Sequence, residues 1–142
     1  MKRVVLPAMA LLLAILSCPT QDSIATQQKG GIRKLMDDKL RYAKMLLEAV
    51  AVNNYAKAEM SAEKLIALSK SADWAVHKTA RYELHSNEFR RAAENMVKKA
   101  KAKSNDGMAY GYVELTMACF RCHQYVREIQ DAKFDDPTDL TH

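Results

Sequence analysis

Residues 108–130 read MAYGYVELTMACFRCHQYVREIQ. No proline interrupts this stretch. Tyr112, Leu115 or Thr116, Cys119, His123 and Val126 recur at spacings of three and four, which predicts one helix with these residues on its inner side. Within it stands Cys119-Phe120-Arg121-Cys122-His123, a C-x-x-C-H string. Two thiols three positions apart on a helical turn can each add to a vinyl group of one porphyrin, and the next imidazole then faces the iron. A five-residue string can arise by chance, so the rest of the chain has to support it.

Other uses of the cysteine pair fit less well. A thioredoxin-like C-x-x-C expects a βαβ setting, and no strand pattern is visible in this chain. A disulfide between residues three apart in a helix has poor geometry. A zinc site needs a second ligand pair, and the third cysteine, Cys18, lies in the N-terminal segment.

Three more helices are expected upstream. The first spans about 32–52, with Ile32, Met36, Leu40, Ala43, Leu47 and Val50 on one face. Asn53-Asn54 breaks it, and either asparagine can cap the next helix. That second helix spans about 55–69, with Tyr55, Ala58, Ala62, Leu65 and Ile66 inward. A connection containing Trp74 leads to a third, which starts at Ala80 or Ser86, ends near Lys103 and buries Phe89, Ala93, Met96 and Ala100. Asn105-Asp106-Gly107 is a stop-and-turn signal before the fourth, about 108–130. The tail 132–142 is polar, contains Pro137 and is expected to be loose. Only four Gly and three Pro in 142 residues agree with a helical chain. The expected fold is all-α, an up-down-up-down antiparallel four-helix bundle with a covalently bound haem near its C-terminal end.

The chain opens with Met1-Lys2-Arg3 and an uncharged run from Val4 to Leu16. A positive segment followed by a short apolar one is the pattern of an export signal, here 1–25. The apolar run falls short of the ~20 residues a spanning helix needs. Ser23-Ile24-Ala25 offers a cleavage site that releases a soluble domain, 26–131. Ile15-Leu16-Ser17-Cys18 resembles a bacterial lipobox, which would lipidate Cys18 and add a membrane anchor. Either outcome removes Cys18 as a free thiol. Export matters, because bacterial haem attachment takes place outside the cytoplasm; the expected location is periplasmic. The net charge of +5 is mildly basic, with no basic cluster interleaved with aromatics, so nucleic acid is not expected as a partner. No nucleophile–base constellation or phosphate loop is visible, and no enzymatic activity is expected.

Bundle geometry bears on the sixth ligand of the iron. His123 lies about seven residues, ~10 Å, from the expected end of the fourth helix, and Met36 about five residues, ~7 Å, from the expected start of the first. The two are then level across the bundle, and a thioether opposite an imidazole gives a six-coordinate His/Met site suited to electron transfer. The plain alternative is a core methionine filling a gap. His85, near the start of the third helix, is the competing ligand; its polar neighbours Ser86-Asn87-Glu88 point instead to a solvated or capping role. His77 and His142 are expected to be exposed. Arg127, one turn beyond His123, and Arg33 are candidates to pair with the haem propionates, since a guanidinium fork matches a carboxylate. For Trp74 and Tyr125, ordinary packing at the bundle end is expected over cover for a haem edge.

The run Cys119-Phe120-Arg121-Cys122-His123-Gln124-Tyr125-Val126-Arg127, set in the last helix of a four-helix chain, resembles the cytochrome c′ family of class II c-type cytochromes. Lys34-Leu35-Met36-Asp37-Asp38 looks like the low-spin, cytochrome c-556-like branch, in which a helix-one methionine binds iron. The resemblance covers roughly 31–130. It implies haem c as the cofactor, redox proteins as partners, a homodimer as an available state, and an exported electron carrier as the function. The five-coordinate branch implies the alternative, a protein that binds nitric oxide or carbon monoxide, with Leu35, Met36 or Leu40 as the distal wall. The second and third helices, with Trp74 and the 82–89 stretch, follow neither branch's pattern.

Overall fold

The structure is a computed structural model that describes residues 21–71 and 74–134, with side chains described for 30–71 and 74–132. The lipobox, most of the expected export signal and residues 135–142 with His142 lie outside the described residues.

Four helices make up the fold: α1 Gln21–Ala51, α2 Tyr55–Leu68, α3 Ala80–Lys101 and α4 Asn105–Phe134. Among the described residues there is no strand. No helix there is long and apolar enough to cross a membrane. The all-α expectation holds, and the four helices are consistent with a four-helix bundle.

Local chemistry explains the breaks. Asn53 adopts a left-handed φ of 55°, which an asparagine tolerates, and ends α1. Asn54 caps α2, its side chain accepting from the Lys57 backbone N–H at 3.0 Å. Thr79 caps α3 by accepting from the Tyr82 N–H at 3.2 Å, which settles Ala80 over Ser86 as the first residue. Lys103 takes φ 52° and ends the run from α3. Asn105-Asp106-Gly107 is not the turn expected there. Ser104 accepts from the Gly107 N–H at 3.2 Å, so those three residues form the first turn of α4. α1 begins eleven residues before Ile32, running through the expected cleavage point, and α4 ends four residues beyond Gln130, inside the expected tail.

The core joins all four helices. Leu46, Leu65, Phe89, Met96 and Met108 are fully buried, each contributing roughly 1.5–3 kcal/mol by removal from water. Ala49, Ala58, Ala62 and Ala93 let the backbones approach. Trp74 folds back from the connection onto Phe89, ring centroids 5.1 Å apart, and its indole N–H donates to Ser86 at 2.9 Å. The Tyr82 hydroxyl donates to the Trp74 carbonyl. This packs Trp74 in the core, as expected.

Paired contacts run the length of α3 and α4. Thr79 bonds the Tyr125 hydroxyl at 2.7 Å, Arg81 meets Glu128 at 3.0 Å, Arg121 donates to Glu88 at 3.2 Å and Asn95 donates to Glu114 at 3.1 Å. At the far end a Cβ on Gly111 would stand 2.9 Å from the Met96 sulfur, so glycine permits the closest part of this seam. α1 and α4 meet over a much smaller area than any consecutive pair.

Glu88 also accepts from His85 Nδ1 at 3.2 Å. That hydrogen bond, and then Arg121, hold its carboxyl below the usual range against the opposing effect of burial. The folded value therefore lies below the unfolded one, and the unfolded chain takes up the proton first as pH falls. The stabilisation is complete above about pH 4.5 and is lost as pH drops through the folded value. Glu88→Gln should lower the urea midpoint at neutral pH, and its gap from the parent should narrow steadily below pH 4.5. A gap independent of pH would show that the Glu88 charge is not what stabilises this seam.

Candidate cofactor groove between the first and last helices

α1 carries two apolar faces. One packs into the core through Leu35, Leu46 and Ala49, all buried. The other is the face expected to be inward: Ile32, Met36, Ala43 and Val50 are half-buried, while Leu40 is 55 % and Leu47 49 % exposed. α4 repeats the pattern. Its buried line is Met108, Gly111, Leu115, Ala118, Cys122 and Tyr125, whereas Tyr112, Cys119 and Val126 are half-buried and Thr116 and His123 exposed. The expected inner faces of both helices are thus turned from the true core by about one residue. They flank the seam that α1 and α4 leave unclosed.

A cavity of about 300 Å³ occupies this seam, lined by Met36, Asp37, Lys39, Leu40 and Ala43 from α1 and by Cys119 and His123 from α4. A second, of about 270 Å³, is lined by Cys119, Phe120, His123 and Arg127. Cys119 and His123 belong to both, so the two form one groove around the motif. A larger cavity, about 730 Å³, lies at the α2–α3 connection and involves none of the motif residues.

Met36 and His123 therefore do face one space from opposite walls. The helix ends used to expect this were misplaced, since Met36 lies fifteen residues into α1 and His123 eleven from the end of α4. Arg127 lines the groove and Arg33 does not; both are exposed. His85 is not the solvated residue expected. It is 8 % exposed, its ring 5.8 Å from that of Tyr125, with Nδ1 on Glu88 and Nε2 buried without a hydrogen-bond partner. It lines neither cavity of the groove. His77 is half-buried, its ring 5.2 Å from that of Tyr82, rather than exposed.

The electrostatics favour the neutral forms of His123 and Cys122. Although His123 is exposed overall, partial desolvation, then the positive charges of Lys39 and Arg127, hold its imidazole below the usual range and leave a nitrogen lone pair for a metal. Burial pushes the Cys122 thiol up, opposed by Lys39. Cys122 is 8 % exposed and faces the core, while Cys119 is at the groove.

Lys39 is the residue that reading by apolar periodicity passes over. It is 6 % exposed. Its Nζ lies 4.5 Å from the Trp74 ring centroid and 4.2 Å from that of Phe89. Burial lowers its pKa, opposed by Cys119 and Cys122. The signal was positional: Lys39 falls on the stripe of Leu35, Leu46 and Ala49, one turn from Met36.

No protein-family model, curated protein or solved structure matches the chain. The site therefore has to be judged on its own residues. Met36, Cys119 and His123 suit a haem in this unclosed apolar seam, while Cys122, at attachment spacing, is buried on the core side of α4 and lines neither cavity.

If this seam is open in the haem-free chain, Leu40→Ser and Leu47→Ser should change its stability by no more than about 0.5 kcal/mol. Leu46→Ala, in the packed face, should cost ~2–5 kcal/mol. Urea titrations of the three variants check this. Equal losses at all three positions would mean that α1 and α4 close on each other without a cofactor.

Proposed function

We propose that the chain is an exported monohaem c-type cytochrome that carries electrons, related to the low-spin branch of the cytochrome c′ family. The observation that carries this reading is the convergence of Met36, Cys119 and His123 on one apolar groove that the helices themselves leave unfilled. The paired contacts along α3 and α4 and the short α1–α2 and α3–α4 links support an up-down-up-down bundle as its frame.

Cys119 and Cys122 would hold the haem as thioethers, and His123 and Met36 would bind its iron. Bound there, a haem supplies a one-electron iron couple. The protein's own part is positional. α4 sets the two thiols and the imidazole on adjacent turns in a fixed relation. α1 brings Met36 to the opposite wall, beside Leu40 and Ala43. Arg127, which lines the groove, would meet a propionate; Arg33, outside it, is the weaker candidate. No bond of a substrate is made or broken, so no acid–base pair is required. Redox proteins would be the partners. The periplasm would be the location, with a lipid anchor if Cys18 is modified.

The alternative is a five-coordinate protein that binds nitric oxide or carbon monoxide. It draws on the openness of the groove on the Met36 side, where Leu40 is more than half exposed.

An optical spectrum of the purified protein, ferric and dithionite-reduced, before and after carbon monoxide, separates the readings. Sharp split reduced bands unchanged by the gas are expected. Met36→Ala should abolish them and His85→Ala should leave them intact. A broad reduced spectrum that shifts promptly with carbon monoxide would replace the electron carrier by the gas-binding protein.

A further inference from the structure

Lys39 places a charged group where the fold otherwise puts apolar ones. Its neighbours on the same stripe of α1, Leu35, Leu46 and Ala49, are packed in the core. No carboxylate pairs with Lys39 among the described residues: Asp38 is engaged by Lys34 at 3.1 Å and Arg41 at 2.7 Å, and Asp37 is exposed. The ammonium rests on the faces of Trp74 and Phe89, an arrangement that suits a cation and offers a neutral amine little. A buried unpaired charge is costly to a fold. A methionine or leucine would fill the same space without that cost.

The position of Lys39 suggests what the charge does. Lys39 lines the groove with Met36, Cys119 and His123. Residues that would hold a haem thus share its groove. Oxidation of the iron removes one electron and adds one positive charge to the site. A fixed positive charge nearby, in surroundings of low dielectric, opposes that addition and favours the reduced state. Arg127, the other cation at the groove, is exposed and screened by water.

Resting on the cytochrome reading above, we infer that Lys39 is the residue that raises the reduction potential of the iron, acting as a buried charge beside it and not as a ligand. The protein is then tuned to accept electrons readily from its donor.

The test uses the haem-loaded full chain as parent, Lys39→Met and Lys39→Arg. Covalent haem is measured first, from the pyridine haemochrome of the denatured proteins, and the midpoint potential by redox titration. Lys39→Met should shift the one-electron equilibrium at least tenfold toward ferric, a fall of 59 mV or more. Lys39→Arg, which keeps the charge, should stay with the parent. Reduced spectra of all three should keep the same band pattern. Haem present with an unmoved potential in Lys39→Met overturns this inference and leaves the cytochrome reading standing. A parent without covalent haem overturns both. A band pattern altered in Lys39→Met but not in Met36→Ala makes Lys39 a ligand and overturns its role as a charge. A haem-free readout stands beside these: Lys39→Met should melt higher than the parent when both lack haem. A lower melting temperature overturns the buried ammonium on which the inference rests. Should Lys39→Met fail to mature, Lys39→Gln carries the same expectations for potential and spectrum.

Discussion

The unclosed seam between α1 and α4 is the constraint on which the rest of this structure depends. Each of these helices carries more apolar surface than its packed neighbours can cover. α1 commits one face to the core through Leu35, Leu46 and Ala49, and presents a second at Met36, Leu40, Ala43 and Leu47. α4 commits Leu115, Ala118 and Cys122, and presents Cys119 and His123 beside that line. A helix wrapped by protein on one stripe normally turns polar elsewhere. Leaving a second apolar stripe at the surface loses stabilisation unless something covers it. The α3–α4 seam shows the contrast: its ion pairs and the glycine contact at Met96 close it from end to end.

Electrostatics and packing act together at that seam. Three cationic or basic groups, Lys39, His123 and Arg127, gather at the motif, and the deepest of the three has no carboxylate partner among the described residues. The two neighbouring cations help keep His123 neutral, which a metal ligand requires. The aromatic pair Trp74 and Phe89 holds the Lys39 ammonium where water does not reach. Trp74 is in turn fixed by Ser86 and Tyr82. The α2–α3 connection, none of whose described residues lines the groove, therefore positions a charge beside it.

Much of the fold was legible because helix formation and capping depend on near neighbours. Asn54 caps α2 through a side-chain oxygen reaching three residues ahead, a relation visible in the sequence, and Thr79 does the same for α3. The reading of Asn105-Asp106-Gly107 as a turn failed for a related reason: Ser104 competes for the same backbone N–H groups and starts α4 earlier. His85 was read as solvated from its polar neighbours, but Glu88 and Tyr125 enclose it from two helices. Periodicity also chose the wrong stripe of α1 and of α4. It scored the apolar residues at the seam and passed over Lys39, since a charge in the line of Leu35 and Leu46 looks like a solvated position.

By itself the sequence determined that the chain is helical, where α2 begins, and that two thiols and an imidazole stand at haem-attachment spacing. These depend on bonds and contacts within a turn or two of backbone. The tertiary structure alone decided which of two apolar stripes enters the core, that Met36 and His123 share one groove, and that Lys39 is buried beside it. Those outcomes depend on how far each helix is rotated and how long it runs before packing. No local sequence signal specifies a rotation that is set by the balance of burial among four helices.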